Sequence, residues 1–321
     1  MDLLLLITFA CLLLIFLALN EYYKRVVIRN EQEAHIKRGR RAKQKYDIVA
    51  FGSSYARYAF DFSDTGLNGY NFGFVAQFFY YTDKMIRAFS STFKDGCKVV
   101  ITIPNLCFAE VGDGMYHPQR YVIFLDKKEL GDEYTIRNYL LYNCFPLFIH
   151  PLGNLKKLLK YIIGIDKNDE YTRITINPLS KQRVNVMALQ RIIGWISSFG
   201  LMDTQSDIVP VELEQKFEKS RRLLSHMIQY CLDKGFKPVL VIPPVSGVMN
   251  SHLADAFVKK VLFDNIEISN NKKVPVFNYL RDSRFQDEKL YSCNADFLNV
   301  KGRKMFTAVF VGDLKKIGYV R

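Results

Sequence analysis

An α/β fold built on a parallel sheet is the architecture this sequence predicts, and three observations predict it. Short apolar, β-branched runs at 46–51, 98–103 and 238–242 each end in a turn signal, Gly52-Ser53-Ser54, Pro104-Asn105 or Pro243-Pro244. That is the look of strands buried on both faces. Helical patterns at 77–93, 212–234 and 301–317 lie between and after them and are followed by Gly96, Gly235 and Gly318, residues that end helices. Finally, 49% of the 321 residues are hydrophobic and 14% aromatic, enough to bury a full core without disulfides. Strands alternating with helices imply βαβ crossovers and a sheet covered by helices on both sides, a three-layer α/β/α arrangement.

The chain opens with Leu3 to Leu19, seventeen apolar residues without a charge, at the short end of what a transmembrane helix needs. A cleaved signal peptide fits less well. The segment before the run, Met1-Asp2, holds no Lys or Arg, and Leu17-Ala18-Leu19-Asn20 is a poor cleavage site. Residues 1–20 therefore read as a single-pass membrane anchor. Residues 21–45 read as a basic juxtamembrane linker. From Lys24 to Lys45 nine Lys and Arg side chains face only Glu31 and Glu33, more than half of the chain's net charge of +13. The charge bias places this linker, and the globular domain of 46–321 behind it, on the cytoplasmic side. The same cluster suits anionic lipid headgroups. Being confined to one segment with no recognition motif, it argues against nucleic-acid binding.

In chain order, strands are expected at 46–51, 70–73, 98–103, 238–242 and 274–278, with a helix around 254–262 after the fourth strand. Residues 105–210, rich in Tyr, Phe, Asn and Leu, break the rhythm and read as a helical insertion. The six cysteines are scattered and form no C-x-x-C pair, so neither a zinc site nor a disulfide framework is expected. No phosphate-binding loop, dinucleotide fingerprint or metal-ligand spacing occurs, and no cofactor is expected.

Ligand-binding loops of open parallel sheets lie at the C-terminal ends of the strands. Ser54, Gly73, Asn105 and the Pro243 loop all follow strands and should meet there. Each also has a plain structural reading: Ser54 as a helix cap, Gly73 and Asn105 as turn residues. Together with the segment Asn294-Ala-Asp-Phe-Leu-Asn-Val-Lys-Gly302, they resemble the sequence blocks of the SGNH/GDSL-type hydrolases. The Gly-Ser-Ser turn is most similar to the DltD-type branch, linked to modification of cell-surface polymers. The resemblance covers 46–104 and 211–318.

The resemblance implies a flavodoxin-like parallel sheet, Ser54 as nucleophile, and Gly73 and Asn105 as oxyanion-hole donors. It also implies that the final block should read D-x-x-H-L-N-x-x-G. Leu298, Asn299 and Gly302 follow that pattern, but Asn294 and Phe297 stand where the aspartate and histidine belong. A serine hydroxyl needs a neighbour to take its proton, and histidine suits that task while phenylalanine does not. Losing a triad member costs roughly 10⁴–10⁶ in rate. Substitute groups are Asp296, beside Phe297, and among the five histidines His252, which follows the fourth strand, then His117. Tyr55 replaces a histidine that related polysaccharide-cluster proteins often carry after Gly-Ser-Ser. Arg57 is suited either to an anionic ligand or to a surface carboxylate.

Two functions follow as expectations. One is a non-catalytic or strongly divergent member serving a membrane-bound polysaccharide system as a binding or assembly subunit. The alternative is a serine O-acyltransferase or esterase acting on acylated polysaccharide through Ser54 with a non-standard base.

Overall fold

The computed structural model describes residues 2–110, 118–164, 180–292 and 294–320. The chain divides into two compact units, Met1–Arg40 with His117–Arg173, and Arg41–Tyr116 with Ile174–Arg321. The stretch read from the sequence as one insertion is thus shared between them.

The larger unit carries the sheet. Five strands, β1 (Tyr46–Phe51), β2 (Gly69–Asn71), β3 (Phe93–Thr102), β4 (Lys237–Ile242) and β5 (Val276–Asn278), are all parallel in the order β2-β1-β3-β4-β5. The α/β class and parallel sheet are as expected. Ala50 pairs with Val100 and Val100 with Val239, so small and branched side chains form continuous rows across the sheet. On one face Ile48, Ala50, Val100, Val239 and Val241 join the helices Ser54–Ala59 (α3) and Val300–Lys316 in one core, with Phe60, Phe306, Phe310 and Leu314 at its centre. Strand alternation turns Val49 and Phe51 to the other face. There Phe51 meets Phe89 of α4 (Phe79–Phe89) at 6.4 Å, and the long helix Val211–Asp233 contacts both α4 and β4. In this strand order the winding direction reverses between β1 and β3, which opens a crevice at their C-terminal ends.

Some boundaries differ from the sequence reading. The helix α4 stops at Phe89, and β3 begins at Phe93 rather than near 98. Gly96, expected to stop a helix, lies inside that strand with φ +70° and donates its N–H to the Gly235 carbonyl at 3.1 Å. The single helix expected at 254–262 is three pieces: Asp255–Val258, a π turn at Lys259–Phe263, and Asp264–Ser269.

In the other unit, α1 (Asp2–Val26) is long and apolar enough to cross a membrane. It continues to Val26, into the start of the stretch expected to be linker, and α2 (Gln32–Arg40) follows after a short turn. The basic residues there are not all solvated. Lys24 and Arg25 share Glu21. Arg40 bridges Asp126 and Glu129, which form the capping box of the helix Lys127–Leu130 (α5). The short helix Ile136–Tyr139 (α6) and the helix Pro151–Ile162 (α7) complete this unit's described α-helices. In the sheet unit the remaining helices, in chain order, are Lys181–Phe199 (α8), Val211–Asp233 (α9), Gly247–Ser251 (α10), Asp255–Val258 (α11), Asp264–Ser269 (α12) and Val300–Lys316 (α13). The five described cysteines, Cys11, Cys97, Cys107, Cys144 and Cys231, are free thiols; Cys293 lies outside the described residues.

Candidate functional site

The turn after β1 depends on Gly52. Its φ of +142° belongs to glycine, and a Cβ there would lie 3.0 Å from Thr102 Cβ and 3.2 Å from Ala56 Cβ. The glycine thus lets α3 start directly over the end of β3. Ser53, not Ser54, is the residue preceding the helix, and its side chain makes no cap bond. Ser54 is the first helical residue and half-buried. Among the described residues, no histidine or carboxylate hydrogen-bonds its hydroxyl.

Gly73 follows β2 and lies against the backbone of α3. A Cβ would sit 2.3 Å from the Arg57 nitrogen, so only glycine fits. Its N–H, an expected oxyanion donor, is bonded to Asn71 Oδ1 at 2.8 Å. The Asn71 amide in turn donates to the carbonyls of Ala56 and Phe60, both at 2.9 Å. Asn71 therefore holds the end of α3 and the Gly73 turn together. Arg57 is buried within α3 rather than at the surface.

Asn105, after β3, is 5% exposed, and neither atom of its amide has a hydrogen-bond partner among the described residues. Burying an unpaired amide costs roughly 1–3 kcal/mol. The next residue, Leu106, has φ +59°, and Ala76 beyond β2 has φ +58°. Such conformations are unfavourable for residues with a Cβ and gather at functional loops. An unpaired amide and strained backbone thus coincide after β3, and strained backbone recurs after β2, on the other side of β1.

The final block divides its labour. Leu298 is buried in the core. Asn299 caps the helix Val300–Lys316 by accepting from Gly302 N at 2.9 Å, and a Cβ on Gly302 would lie 2.5 Å from the Leu290 carbonyl. These family-like residues all have structural duties. Asn294 closes its own turn by accepting from the Ala295 N–H at 2.9 Å. Phe297 packs against Tyr58 at 4.9 Å and edge-on to Tyr55 at 5.2 Å.

Asp296 is fully buried and accepts hydrogen bonds at Oδ2 from the Tyr55 hydroxyl and, at 3.0 Å, from Arg191 Nε. Its Oδ1 is buried with no partner among the described residues. Arg191 lies 5.7 Å from the rings of Phe297 and Trp195 and 5.9 Å from that of Tyr55, within cation–π range. The Asp296 carboxylate raises the Arg191 pKa further, so the guanidinium is fixed as a cation. Burial, then the Asp296 charge, pushes the Tyr55 phenol well above its usual value and keeps it a donor.

Beyond Arg191 opens a cavity of about 290 Å³ lined by Glu110, Gln190, Arg191, Trp195, Ser198 and Lys216, among others. Desolvation raises the Glu110 carboxyl to about 7, against a smaller opposing pull from Arg191. Arg191, Trp195 and Glu110 were not singled out in the sequence. Their stretch has no motif, and Arg191 lies 105 residues from its ion-pair partner.

His252 ends the helix Gly247–Ser251. Its carbonyl accepts from Thr204 Oγ1 at 2.7 Å and Gln205 Nε2 at 2.8 Å, and its Nε2 is buried without a partner among the described residues. His117 lies outside the described residues. Among the described residues no group of three or more His, Cys, Asp and Glu side chains is arranged to hold a metal ion. The chain matches no protein-family model and no curated protein.

Proposed function

We propose that this chain is a membrane-anchored, SGNH-hydrolase-like protein whose strand-end crevice binds rather than cleaves. On this reading it is a non-catalytic or strongly divergent member of that superfamily, acting with cell-surface polysaccharide or with the membrane machinery that makes it. One observation carries the reading. The ground on which a hydrolase needs a proton acceptor is occupied by Phe297, packed between Tyr55 and Tyr58, while the adjacent Asp296 is committed to Tyr55 and Arg191. A carboxylate whose Oδ2 is engaged by both a guanidinium and a phenol is a structural clamp rather than a free proton acceptor. The Gly73 N–H is likewise engaged by Asn71. The polysaccharide setting rests on the resemblance of the Gly52-Ser53-Ser54 turn alone, since fold does not fix function.

One observation favours the alternative, an acyltransferase or esterase using Ser54. The buried, unpaired Asn105 amide has the chemistry of an oxyanion donor. Hydrolysis of p-nitrophenyl acetate by the full chain in detergent separates the two. The binding reading expects wild type and Ser54→Ala to be indistinguishable. Turnover that disappears in Ser54→Ala would establish the alternative.

A further inference from the structure

The helix α7, Pro151–Ile162, buries little of its apolar surface. Only Leu158 is buried, in a cluster with Tyr23 and Val27 of the α1 region and Leu147. The stripe beside it, Leu152, Leu155, Leu159, Ile162 and the following Ile163, is open, with Leu152 86% and Leu159 60% exposed. Their spacing of three, four and three residues, then one, places them on one side of a helix. Lys156 and Lys160 border the stripe along one edge, and Lys157 points back to Glu31. Five contiguous exposed aliphatic side chains exceed the scatter normal for a protein surface in water.

The position of α7 says what covers them. The loop leading into it is fastened to α1 at the end of the apolar run. Asn20, 4% exposed, donates from Nδ2 to the Cys144 carbonyl at 2.8 Å and accepts at Oδ1 from the Leu147 N–H at 3.3 Å. One turn earlier, Phe16 meets Phe148 at 4.1 Å between ring centroids. At about 1.5 Å per residue, Phe16 lies only ~5 Å inside Leu19, where the run ends. If α1 crosses a membrane, Phe148 sits at the edge of its hydrocarbon, and α7 begins three residues later. The seventeen-residue run spans roughly 26 Å, short of a hydrocarbon core of about 30 Å, so apolar surface beside its end supplements a short anchor.

We propose that α7 is an interfacial helix: its Leu152–Ile163 stripe is buried among lipid acyl chains, with Lys156 and Lys160 at anionic headgroups. This rests on the membrane-anchor reading of α1. An amphipathic helix of this kind lies in the interface plane with its apolar face at the headgroup–acyl boundary, while lysine side chains reach outward to phosphate.

The test uses the full chain in vesicles of phosphatidylcholine and phosphatidylglycerol in a three-to-one ratio, doped with a lipid bearing a photoreactive diazirine on its acyl chain. Cross-linked peptides are mapped by mass spectrometry. Lipid adducts are expected in the peptides covering 3–19 and 152–163, and not in the buried strand Lys237–Ile242. Leu155→Asp with Leu159→Asp should cut the 152–163 adducts at least tenfold and leave those at 3–19. Adducts at 3–19 without any at 152–163 would overturn the proposal while sparing the anchor, and would assign the stripe to a protein partner. No adducts at 3–19 would overturn the anchor and the proposal together.

Discussion

Breaking the Arg191–Asp296 pair should destabilise the sheet unit unequally from its two sides. The Asp296 side chain is 0% exposed, whereas 32% of the Arg191 side chain reaches solvent. Replacing Arg191 by Met strands a carboxylate that has no route to water, and removal of one partner of a buried pair costs about 3–5 kcal/mol. Replacing Asp296 by Asn keeps a hydrogen-bond acceptor for Tyr55 and leaves a cation that can turn towards solvent. That side should cost about 1–3 kcal/mol. The double variant removes both charges and should recover about 1–3 kcal/mol relative to the sum of the single changes. Trp195 is the only tryptophan in the chain, and its ring lies 5.7 Å from the Arg191 guanidinium. Its fluorescence during urea unfolding therefore reports on this cluster directly, which matters in a chain of two units that need not unfold together. Two small single effects that simply add would show that the pair is not the clamp described here. A larger cost for Asp296→Asn than for Arg191→Met would refute the desolvation argument.

Gly73→Ala must displace α3, because the new Cβ would start 2.3 Å from the Arg57 nitrogen; overpacking of this kind costs about 1–3 kcal/mol or more, read as a lowered urea midpoint. Glu110 gives a pH signature. Its folded pKa of about 7 lies above the ordinary 4.5, so the folded state holds a proton that the unfolded chain has lost. Stability should fall as pH rises from about 4.5 through 7, and Glu110→Gln should flatten that fall. The lowered carboxyls of Asp47, Asp61 and Asp282 act below this window, so urea midpoints at pH 5.5 and 8 isolate the effect. An unchanged slope in the variant would contradict the desolvated position of Glu110. For topology, alkaline phosphatase fused after Arg321 should be inactive if the sheet unit is cytoplasmic, as the charge bias directs; an active fusion would place that unit outside.

The parts of the fold that could be read from sequence are those in which local pattern and burial agree. β1 and β4 are apolar runs apart from Asp47 and Lys237 near their starts, each closed by turn residues, and their observed limits are close to the expected ones. The start of β3 was hidden because Lys94, Asp95 and Gly96 interrupt its pattern, while pairing of Phe93 with Tyr46 across a register shift extends the strand. Pro275 keeps β5 short. The site divided in the same way. Its strand-end residues were found by their place after strands, but the Tyr55–Asp296–Arg191 cluster joins positions 241 and 105 residues apart. No local pattern encodes such a meeting. That Asn71 occupies the Gly73 N–H is also a matter of side-chain geometry, which spacing alone does not reveal.

The most direct test of the central claim is stoichiometric labelling by a fluorophosphonate probe, measured as intact mass and mapped by peptide sequencing. A serine without a base should react no faster than other surface hydroxyls, so no adduct should accumulate at Ser54 while a competent serine hydrolase alongside is fully labelled. One adduct per chain at Ser54, absent in Ser54→Ala, would contradict the account and show that this serine is activated after all.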